Sequence, residues 1–459
     1  MSSNKQANRR IRLLLAAFVL IFIGTLGRAV WIQGVNAASL GKQAEQQHRE
    51  SIAIPAGRGT IFDRMGIQLA IGEQTTTVYA DPRQVTQARA IAVAAHTLLG
   101  ADANVLYPQL LDKKKGFIYV ERFADSKAAD AFMKKGFAGV NVYQEEKRSY
   151  PQGATGSQLV GYAGTDNKGL AGLEVEYDKS LTGSPGQQTI VRDPFGRAIN
   201  VVSATPERQG KDVYTTIDHT IQTNAEAVLR ETVQHWGAKS ANAVVLDPRT
   251  GAVLAMAQAP GYDANRANKV SFALQRNRGV TDTFEPGSTF KLVTIAGALS
   301  QRIVTPSSAF LLPYSIPVAD RVIHDAELRG TERLSVSQIL SRSSNVGAVT
   351  IAEKLGSTAL MDWIHKFGFG TKTGIDYPGE SPGQVLPLEQ WSGSTIGNVP
   401  IGQGIAVTPI QLAAAYAAIA NGGVWIEPHL VDRVGGRVLH SFAHRRIVLP
   451  AVNEELKTM

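Results

Sequence analysis

Glu285-Pro286-Gly287-Ser288-Thr289-Phe290-Lys291 is the stretch that most constrains both the fold and the chemistry of this chain. Proline and glycine interrupt regular structure, and the residues from Ser288 to Ser300 then follow a strongly apolar helical pattern. Ser288 is therefore expected to begin a buried helix. Lys291 comes three residues later on the same helical face, so its amine lies within reach of the serine hydroxyl.

The chemical surroundings of Lys291 favour a neutral amine. It is the only charged residue between Pro286 and Arg302, and burial disfavours an ammonium ion and lowers the lysine pKa. A neutral amine can take the proton of Ser288, and the backbone N–H groups at the helix start can stabilise an oxyanion. The alternative is structural: Ser288 is then a helix cap and Lys291 extends its amine to solvent, since Ser-x-x-Lys is frequent by chance.

A second polar element, Ser343-Ser344-Asn345, falls between helical patterns at 335–341 and 346–355. Ser343 could relay a proton, and Asn345 could hold a substrate amide. Short polar residues in front of a helix also serve as caps, which is the competing interpretation.

The two motifs lie within a longer segment, residues 241–459, that has the pattern of one α/β domain. Residues 241–246 and 252–257 predict a strand pair around the turn Asp247–Gly251, and mainly helical patterns follow, up to 409–421. The preceding domain boundary is expected between residues 206 and 241.

Residues 50–206 predict a separate mixed α and β domain. Residues 38–51 are polar and helix-compatible, and a break at Pro55–Gly59 follows. The domain then combines several predicted elements: a hairpin at 60–70, strands at 77–80, 139–143 and 188–191, a helix at 88–99 and a turn at 193–197. The whole chain is thus expected to be an α+β multidomain protein.

The N-terminus has the pattern of a membrane anchor. Basic residues in the tail 1–12 precede an apolar stretch, 13–33, with no acidic residue before it. About 20 apolar residues span a bilayer, and positive flanks stay in the cytoplasm. The following domains are therefore expected outside the membrane. The alternative is a cleaved signal peptide, with a small-residue site at Val35-Asn36-Ala37.

Composition excludes several kinds of chemistry. The chain has no cysteine among its 459 residues, so disulfides, thiolate metal sites and cysteine nucleophiles are impossible. The nine histidines show no metal-ligand spacing, and no phosphate-binding loop is present, so neither a metal nor a cofactor is expected. The net charge of +8 suits anionic lipid or wall polymer, whereas basic clusters such as Lys113–Lys115 lack the aromatic residues that would favour nucleic acid.

The two motifs together resemble those of penicillin-binding proteins and class A β-lactamases. The chain is similar to class B penicillin-binding proteins along nearly its whole length, through further segments at 58–66, 148–153, 172–174, 277–278, 367–370 and 407–412. This resemblance implies a single-pass anchor at 13–33, a pedestal or dimerisation domain at 50–206 and a serine β-lactamase-like transpeptidase domain at 241–459.

The resemblance also implies residue roles: Ser288 as the acylated nucleophile, Lys291 as its base, and Ser343 with Asn345 as the second motif. The implied activity is D,D-transpeptidation of peptidoglycan stem peptides ending in D-Ala-D-Ala, with β-lactams as inhibitors and a polytopic glycosyltransferase as partner. The family serves both cell division and cell elongation. A D,D-carboxypeptidase and a non-catalytic scaffold of the wall-synthesis complex are the alternatives, and the pedestal argues against a β-lactamase.

The third motif of the family, Lys-Thr-Gly or Lys-Ser-Gly on a strand, has an apparent match at Lys372-Thr373-Gly374. The residues that follow, up to Glu380, contain a proline and a glycine, which predicts a loop. In the family the catalytic motif comes after the helix that ends here near Asn421. We therefore expect that 372–374 is not the catalytic motif and that the transpeptidase domain is incomplete at Met459.

Overall fold

The computed structural model describes residues 3–35, 49–54, 56–192, 198–439 and 442–459. The chain divides into two units. One contains the N-terminal residues to Ala56 together with Ser184–Arg208, and the other contains Gly57–Gly183 and Gln209–Met459. The turn predicted at 193–197 and most of the segment 38–51 lie outside the described residues.

The strands of the described residues are, in chain order, β1 Arg49–Ile54, β2 Ile61–Phe62, β3 Gln68–Ala80, β4 Ile118–Ala124, β5 Val140–Ser149, β6 Tyr162–Ala163, β7 Gly169–Ala171, β8 Gly186–Arg192, β9 Ala198–Thr205, β10 Val213–Thr215, β11 Ala241–Leu246, β12 Val253–Ala259, β13 Ala309–Leu312, β14 Ser315–Val318, β15 Arg321–His324, β16 Glu332–Ser335, β17 Val424–Ile426, β18 Val431–Val434, β19 Arg437–Val438 and β20 His444–Arg446.

The α-helices of the same residues are α1 Ser3–Val30, α2 Ala88–Leu99, α3 Ala103–Leu111, α4 Ser126–Met133, α5 Ser157–Val160, α6 Gly172–Glu176, α7 Asp178–Leu181, α8 His219–Trp236, α9 Phe272–Gln275, α10 Arg278–Thr281, α11 Lys291–Ser300, α12 Val336–Ser341, α13 Asn345–Leu355, α14 Ser357–Lys366, α15 Thr395–Asn398, α16 Pro409–Ala420 and α17 Pro450–Thr458. Short 3₁₀ turns cover Ala264–Lys269, Gly287–Phe290, Leu388–Gln390 and Val399–Ile401.

The first unit contains α1 and a three-stranded antiparallel sheet. Residues Arg9–Gly34 form a helical segment with a mean hydropathy of 2.3, long and apolar enough to cross a membrane. The sheet has the order β1-β8-β9. Its strand β1 corrects the prediction of helix-compatible structure at 38–51, because Arg49–Ser51 pair with Val191, Ile190 and Thr189 of β8.

The second unit begins with a mixed sheet of the order β19-β18-β10-β2-β3-β4, with β5 paired to β3. The predicted hairpin at 60–70 is confirmed, since Ile61 of β2 lies opposite Ala70 of β3. The predicted strands at 77–80 and 139–143 belong to β3 and β5, which pair from Ile71↔Ser149 to Ala80↔Val140. The predicted helix at 88–99 is confirmed as α2.

An ion-pair cluster lies buried in this part of the unit. Glu174 accepts from Arg58 Nε at 2.7 Å and from Arg148 Nε at 2.6 Å, and its side chain is fully buried. Arg58 also contacts Asp178 at 2.8 Å. A buried carboxylate between two guanidinium groups holds three distant chain segments together. The sequence motifs that contain Arg58, Arg148 and Glu174 thus meet in one structural cluster.

The C-terminal part of the second unit packs helices on a short hairpin. β11 and β12 form the predicted strand pair, and Ala241 lies opposite Ala259. Helix α8 packs on β12, so the segment between 206 and 241 is structured rather than a linker. The predicted helices at 288–300, 335–341, 346–355 and 409–421 are confirmed to within a few residues.

Helix α11 is the centre of the core. All its residues from Lys291 to Leu299 are buried, and it packs against α13, α14 and α17. Phe290, Ile295 and Ala298 have no exposed surface. A helix that is apolar on all sides is stable only inside a core, and this position fixes the backbone that precedes it, including Ser288.

Candidate active site

Ser288 lies in a 3₁₀ turn, Gly287–Phe290, that continues directly into α11. The sequence predicts a continuous helix here, and the tighter turn changes one detail. Residues i and i+3 are eclipsed in a 3₁₀ helix, so Lys291 is aligned with Ser288 more closely than an α-helix would allow. Ser288 is exposed, whereas Lys291 is buried behind it.

Two glycines allow the backbone to form this turn. Gly287 has φ +58°, a conformation that favours glycine, and its N–H donates to the carbonyl of Gly402 at 3.0 Å. A Cβ on Gly402 would lie 2.1 Å from the carbonyl oxygen of Gly287. The segment around Gly402 therefore supports the nucleophile turn through direct backbone contact.

The amine of Lys291 has four oxygen neighbours. Its Nζ lies 3.1 Å from Ser288 Oγ, 2.9 Å from Ser343 Oγ, 2.6 Å from the Ser343 carbonyl and 2.7 Å from Asn345 Oδ1. An ammonium has only three protons, and a neutral amine has two protons and one lone pair. In the neutral form, one of the two serine hydroxyls can donate to the amine. This is the arrangement that a base next to a nucleophile requires.

Burial lowers the pKa of Lys291 to about 8, while the charge of Asp325 acts in the opposite direction. Removing an ammonium from water costs free energy, so the neutral form gains relative to an exposed lysine. The direction agrees with the sequence prediction. Near physiological pH the neutral fraction of this amine is therefore much larger than that of a lysine in water.

The Ser343–Asn345 turn brings the second motif to the same amine. Ser343 has φ +58°, and Ser344 caps α13 by accepting from Gly347 N at 3.0 Å. Asn345 donates through Nδ2 to the carbonyl of His324 at 3.1 Å. The capping interpretation and the functional one thus apply to neighbouring residues: Ser344 caps the helix, while Ser343 and Asn345 contact Lys291.

A cavity of about 560 Å³ opens in front of Ser288. Its size is within the range of pockets that bind small-molecule ligands. Its wall combines the apolar side chains of Leu328 and Leu334 with charged ones and with the second motif. The charged lining residues are Asp325, Glu327, Arg329, Glu332 and Arg342.

Lys372-Thr373-Gly374 forms no strand, as the sequence predicts. Thr373 is buried, and both its N–H and its hydroxyl donate to Glu380 Oε1 at 2.6 Å. Gly374 has φ +89°. Lys372 is exposed and does not line the cavity at Ser288. These contacts give the segment the role of a loop held by a buried carboxylate.

Sequence reasoning missed Asp325. It is buried, accepts from Ser344 Oγ and Val346 N, and contacts Arg329 at 2.6 Å. The spacing Asp325…Arg329 is a weak signal for an ion pair, but nothing in one sequence indicates that this pair packs behind the turn at 343–345. Among the described residues no group of three or more His, Asp or Glu side chains is placed to hold a metal ion.

Two family models match the chain. Residues 53–215 match the penicillin-binding protein dimerisation domain, and residues 241–458 match the penicillin-binding protein transpeptidase domain. The domain bounds expected from the sequence, 50–206 and 241–459, stay predictions, since a family match does not locate a structural boundary.

Two proteins of similar sequence are named as peptidoglycan D,D-transpeptidases. The peptidoglycan D,D-transpeptidase FtsI of Escherichia coli K12 is 32% identical over 426 residues, which are 91% of this chain and 71% of the relative. The probable peptidoglycan D,D-transpeptidase PenA of Neisseria gonorrhoeae is 31% identical over 460 residues, 96% of this chain and 77% of the relative.

Two solved structures have a fold similar to that of this chain. Penicillin-binding protein 3 of Mycobacterium tuberculosis, complexed with aztreonam, has a TM-score of 0.67 and 26% identity over 88% of this chain and 74% of that one. A peptidoglycan synthetase of Bifidobacterium adolescentis has a TM-score of 0.71 and 27% identity over 89% of this chain and 80% of that one.

A dimerisation domain followed by a transpeptidase domain with a serine and a buried lysine in contact defines a penicillin-binding protein. Within that class, this chain belongs to class B, the family of the peptidoglycan D,D-transpeptidases.

Proposed function

We propose that this protein is a peptidoglycan D,D-transpeptidase that forms cell-wall cross-links through an acyl-serine intermediate at Ser288. The observation that carries the proposal is the contact of 3.1 Å between the buried amine of Lys291 and the exposed hydroxyl of Ser288. Family membership supports the reaction, and this contact supports the assignment of nucleophile and base.

In the first half-reaction, neutral Lys291 takes the hydroxyl proton while Ser288 Oγ attacks the carbonyl carbon of the D-Ala-D-Ala amide. The tetrahedral intermediate then loses its C–N bond, and the leaving D-Ala amine needs a proton. Ser343 Oγ lies 2.9 Å from Lys291 Nζ, so it can pass that proton from the lysine to the amine. D-Ala leaves, and the stem peptide stays esterified to Ser288.

In the second half-reaction, an amine of a neighbouring stem attacks the ester carbon. Its surplus proton returns through Ser343 and Lys291 to Ser288 Oγ as the ester bond breaks. Asn345 accepts from Lys291 Nζ at 2.7 Å and so holds the base, and its amide is also placed at the cavity where a substrate amide would bind. A β-lactam would follow only the first half: Ser288 Oγ forms an ester with the lactam carbonyl as the ring C–N bond breaks, but the ring amine stays attached to the acyl group and does not leave the site as D-Ala does.

The N-terminal helix extends the proposal to location and partners. We infer that α1 anchors the protein in the cytoplasmic membrane as a single span, with the basic tail inside and both domains outside. Nascent peptidoglycan would then be the substrate, and a polytopic glycosyltransferase that supplies glycan strands in the same membrane would be the partner.

The test is product analysis with the purified protein, expressed from its complete gene. It is incubated with glycan strands whose stems end in D-Ala-D-Ala, and the digested products are separated by mass. We expect cross-linked stem dimers, with loss of one D-Ala per cross-link, and none with Ser288→Ala or after penicillin treatment. Ser307→Ala, which changes an exposed serine in a turn after α11, is the matched control.

Each of the other outcomes would indicate a different function. Stems trimmed by one D-Ala without cross-links would make the protein a carboxypeptidase, in which water resolves the same ester. Unchanged stems, together with no penicillin bound, would overturn the catalytic proposal and favour a scaffold of the wall-synthesis complex.

A further inference from the structure

Asp325 occupies an unusual place behind the second motif. It follows strand β15 directly, is 6% exposed, and is close enough to Lys291 for its charge to act on the amine. A buried carboxylate is costly unless its oxygens are hydrogen-bonded. Here both oxygens have partners, among them the hydroxyl of Ser344 in the turn and the backbone N–H of Val346 directly after it.

The contacts of Asp325 hold the turn from two sides. Oδ1 accepts from the backbone N–H of Val346 at 2.9 Å, and the hydroxyl of Ser344 lies 3.1 Å from each carboxylate oxygen. Ser343 and Asn345, which contact Lys291, alternate with these anchored residues along the chain. Fixing Ser344 and Val346 therefore fixes where Ser343 Oγ and Asn345 Oδ1 point.

The turn needs such support because Ser343 has φ +58°. A non-glycine residue in this region is strained and persists only where its surroundings determine its conformation. Arg329 completes the arrangement: it donates to Asp325 Oδ2 at 2.6 and 2.8 Å and to the carbonyls of Leu312 and Pro313. The Asp325–Arg329 ion pair thus connects the turn to the end of β13 and to the cavity wall.

We propose that Asp325 is a positioning residue of the transpeptidase reaction, which holds the Ser343–Asn345 turn in place and thereby orients the amine of Lys291 toward Ser288. The inference rests on the proposed function, and it assigns a role to a residue outside the sequence motifs. Asp325 acts through Ser344, Val346 and its charge, and has no contact with Ser288 itself.

The charge of Asp325 provides a readout that a purely structural residue would not give. Its negative charge favours the ammonium of Lys291, against the burial that lowers the pKa of that amine to about 8. The other charged groups around the turn are Arg329, Glu327 and the Arg342–Glu332 pair, with His324 beside Asn345. Removing only the carboxylate charge should therefore lower the lysine pKa further.

The experiment measures the rate of acylation by a fluorescent penicillin from pH 6 to pH 9.5 in the membrane-anchored protein from its complete gene. For Asp325→Asn we expect the acylation rate at high pH, where it levels off, to fall about tenfold, because a buried charged hydrogen-bond partner is lost. The midpoint of the pH–rate profile should also move to lower pH. For Ser344→Ala we expect a smaller loss with an unchanged midpoint.

Two further variants make the result decisive. Arg329→Gln keeps the Asp325 carboxylate but removes its counter-charge, so the midpoint of the pH–rate profile should move to higher pH. This variant tests the inference even if Asp325→Asn does not fold. Asp320→Asn, an exposed residue in the same hairpin, is the matched control and should behave as the wild type.

A wild-type rate and midpoint in Asp325→Asn, or an equal shift in Asp320→Asn, would overturn the inference and leave the proposed function intact. Loss of rate in Asp325→Asn without any shift of the midpoint would reduce Asp325 to a structural residue. A wild-type protein that binds no penicillin at all would overturn the proposed function, and this inference with it.

Discussion

At the scale of single residues, the proposed chemistry depends on the protonation of Lys291. Lys291 is 1% exposed, and burial lowers the pKa of its amine to about 8 against the opposing charge of Asp325. A general base works only in its neutral form, and a lysine with an ordinary pKa would be almost fully protonated at neutral pH. The core position of α11 thus produces the reactivity of the residue at its start.

The acylation rate should therefore depend on pH with a known sign. Below the lysine pKa the base is protonated, so we expect the penicillin acylation rate to fall about tenfold per pH unit below a midpoint near 8 and to level off above it. Lys291→Arg should abolish acylation, because a guanidinium is not deprotonated in proteins. Stopped-flow or gel-based labelling at several pH values measures both.

Lys366→Arg, an exposed lysine on α14, is the control for the exchange of lysine by arginine. A rate that stays constant from pH 6 to pH 9, or that decreases above pH 8, would contradict the role of Lys291 as base.

The residues of the site differ in how far sequence could predict them. Ser288 and Lys291 follow from local spacing and from the lack of other charges nearby. Asp325 does not, because its contacts with Ser344 and Val346 depend on how the β15 hairpin packs against α13. Partners brought together by tertiary packing leave no pattern in one sequence.

At the scale of structural elements, the loop at Lys372–Gly374 shows why a motif needs its structural context. Its three residues match a catalytic motif in sequence, but the buried carboxylate of Glu380 accepts from the N–H and hydroxyl of Thr373. Gln411 of α16 donates to the carbonyls of Thr371 and Pro382. The segment is thus a loop that is held by these hydrogen bonds and contacts α16.

Lys372→Ala should leave penicillin acylation within about twofold of the wild-type rate, because its exposed side chain does not line the cavity at Ser288. Glu380→Gln should lower thermal stability instead, since the buried donors of Thr373 lose a charged acceptor. Parallel labelling and thermal unfolding measure the two effects. A large loss of acylation in Lys372→Ala would mean that the loop takes part in the reaction.

Elements with strong local patterns could be predicted, and those decided by distant partners could not. Helices α2, α13 and α16 and the β11–β12 hairpin follow from periodicity and turn residues. The interpretation of 38–51 as helix-compatible is wrong at Arg49–Ser51. These residues form a strand because they pair with β8, which lies far along the chain. Long-range pairing overrides local propensity in such segments.

At the scale of the whole molecule, one buried carboxylate, Glu174, and one half-buried carboxylate, Asp376, connect distant parts of the second unit. Glu174 joins Arg58 and Arg148, and Asp376 accepts from Tyr177 at 2.6 Å and from the backbone N–H of Leu430 at 2.6 Å. Burial raises the pKa of Asp376 to about 6. The dimerisation residues around Tyr177 thus have direct polar contact with the transpeptidase residues around Asp376.

Glu174→Gln should destabilise the protein strongly. The change leaves two buried guanidinium groups without their shared carboxylate, and breaking a buried ion pair costs about 3 to 5 kcal/mol of unfolding free energy. Thermal unfolding should show a clearly lower transition, whereas Glu176→Gln, exposed on the same helix, should not. Equal transitions in both variants would mean that the cluster contributes little to stability.

If Ser288 is the nucleophile, it forms a covalent acyl-enzyme with benzylpenicillin, and peptide mapping of the reacted protein locates the adduct. The protein from the complete gene is reacted, digested and analysed by mass spectrometry. We expect one penicilloyl group per chain, on the peptide containing Ser288, and none in Ser288→Ala. An adduct on any other residue, or a wild-type protein that stays unmodified, would contradict it.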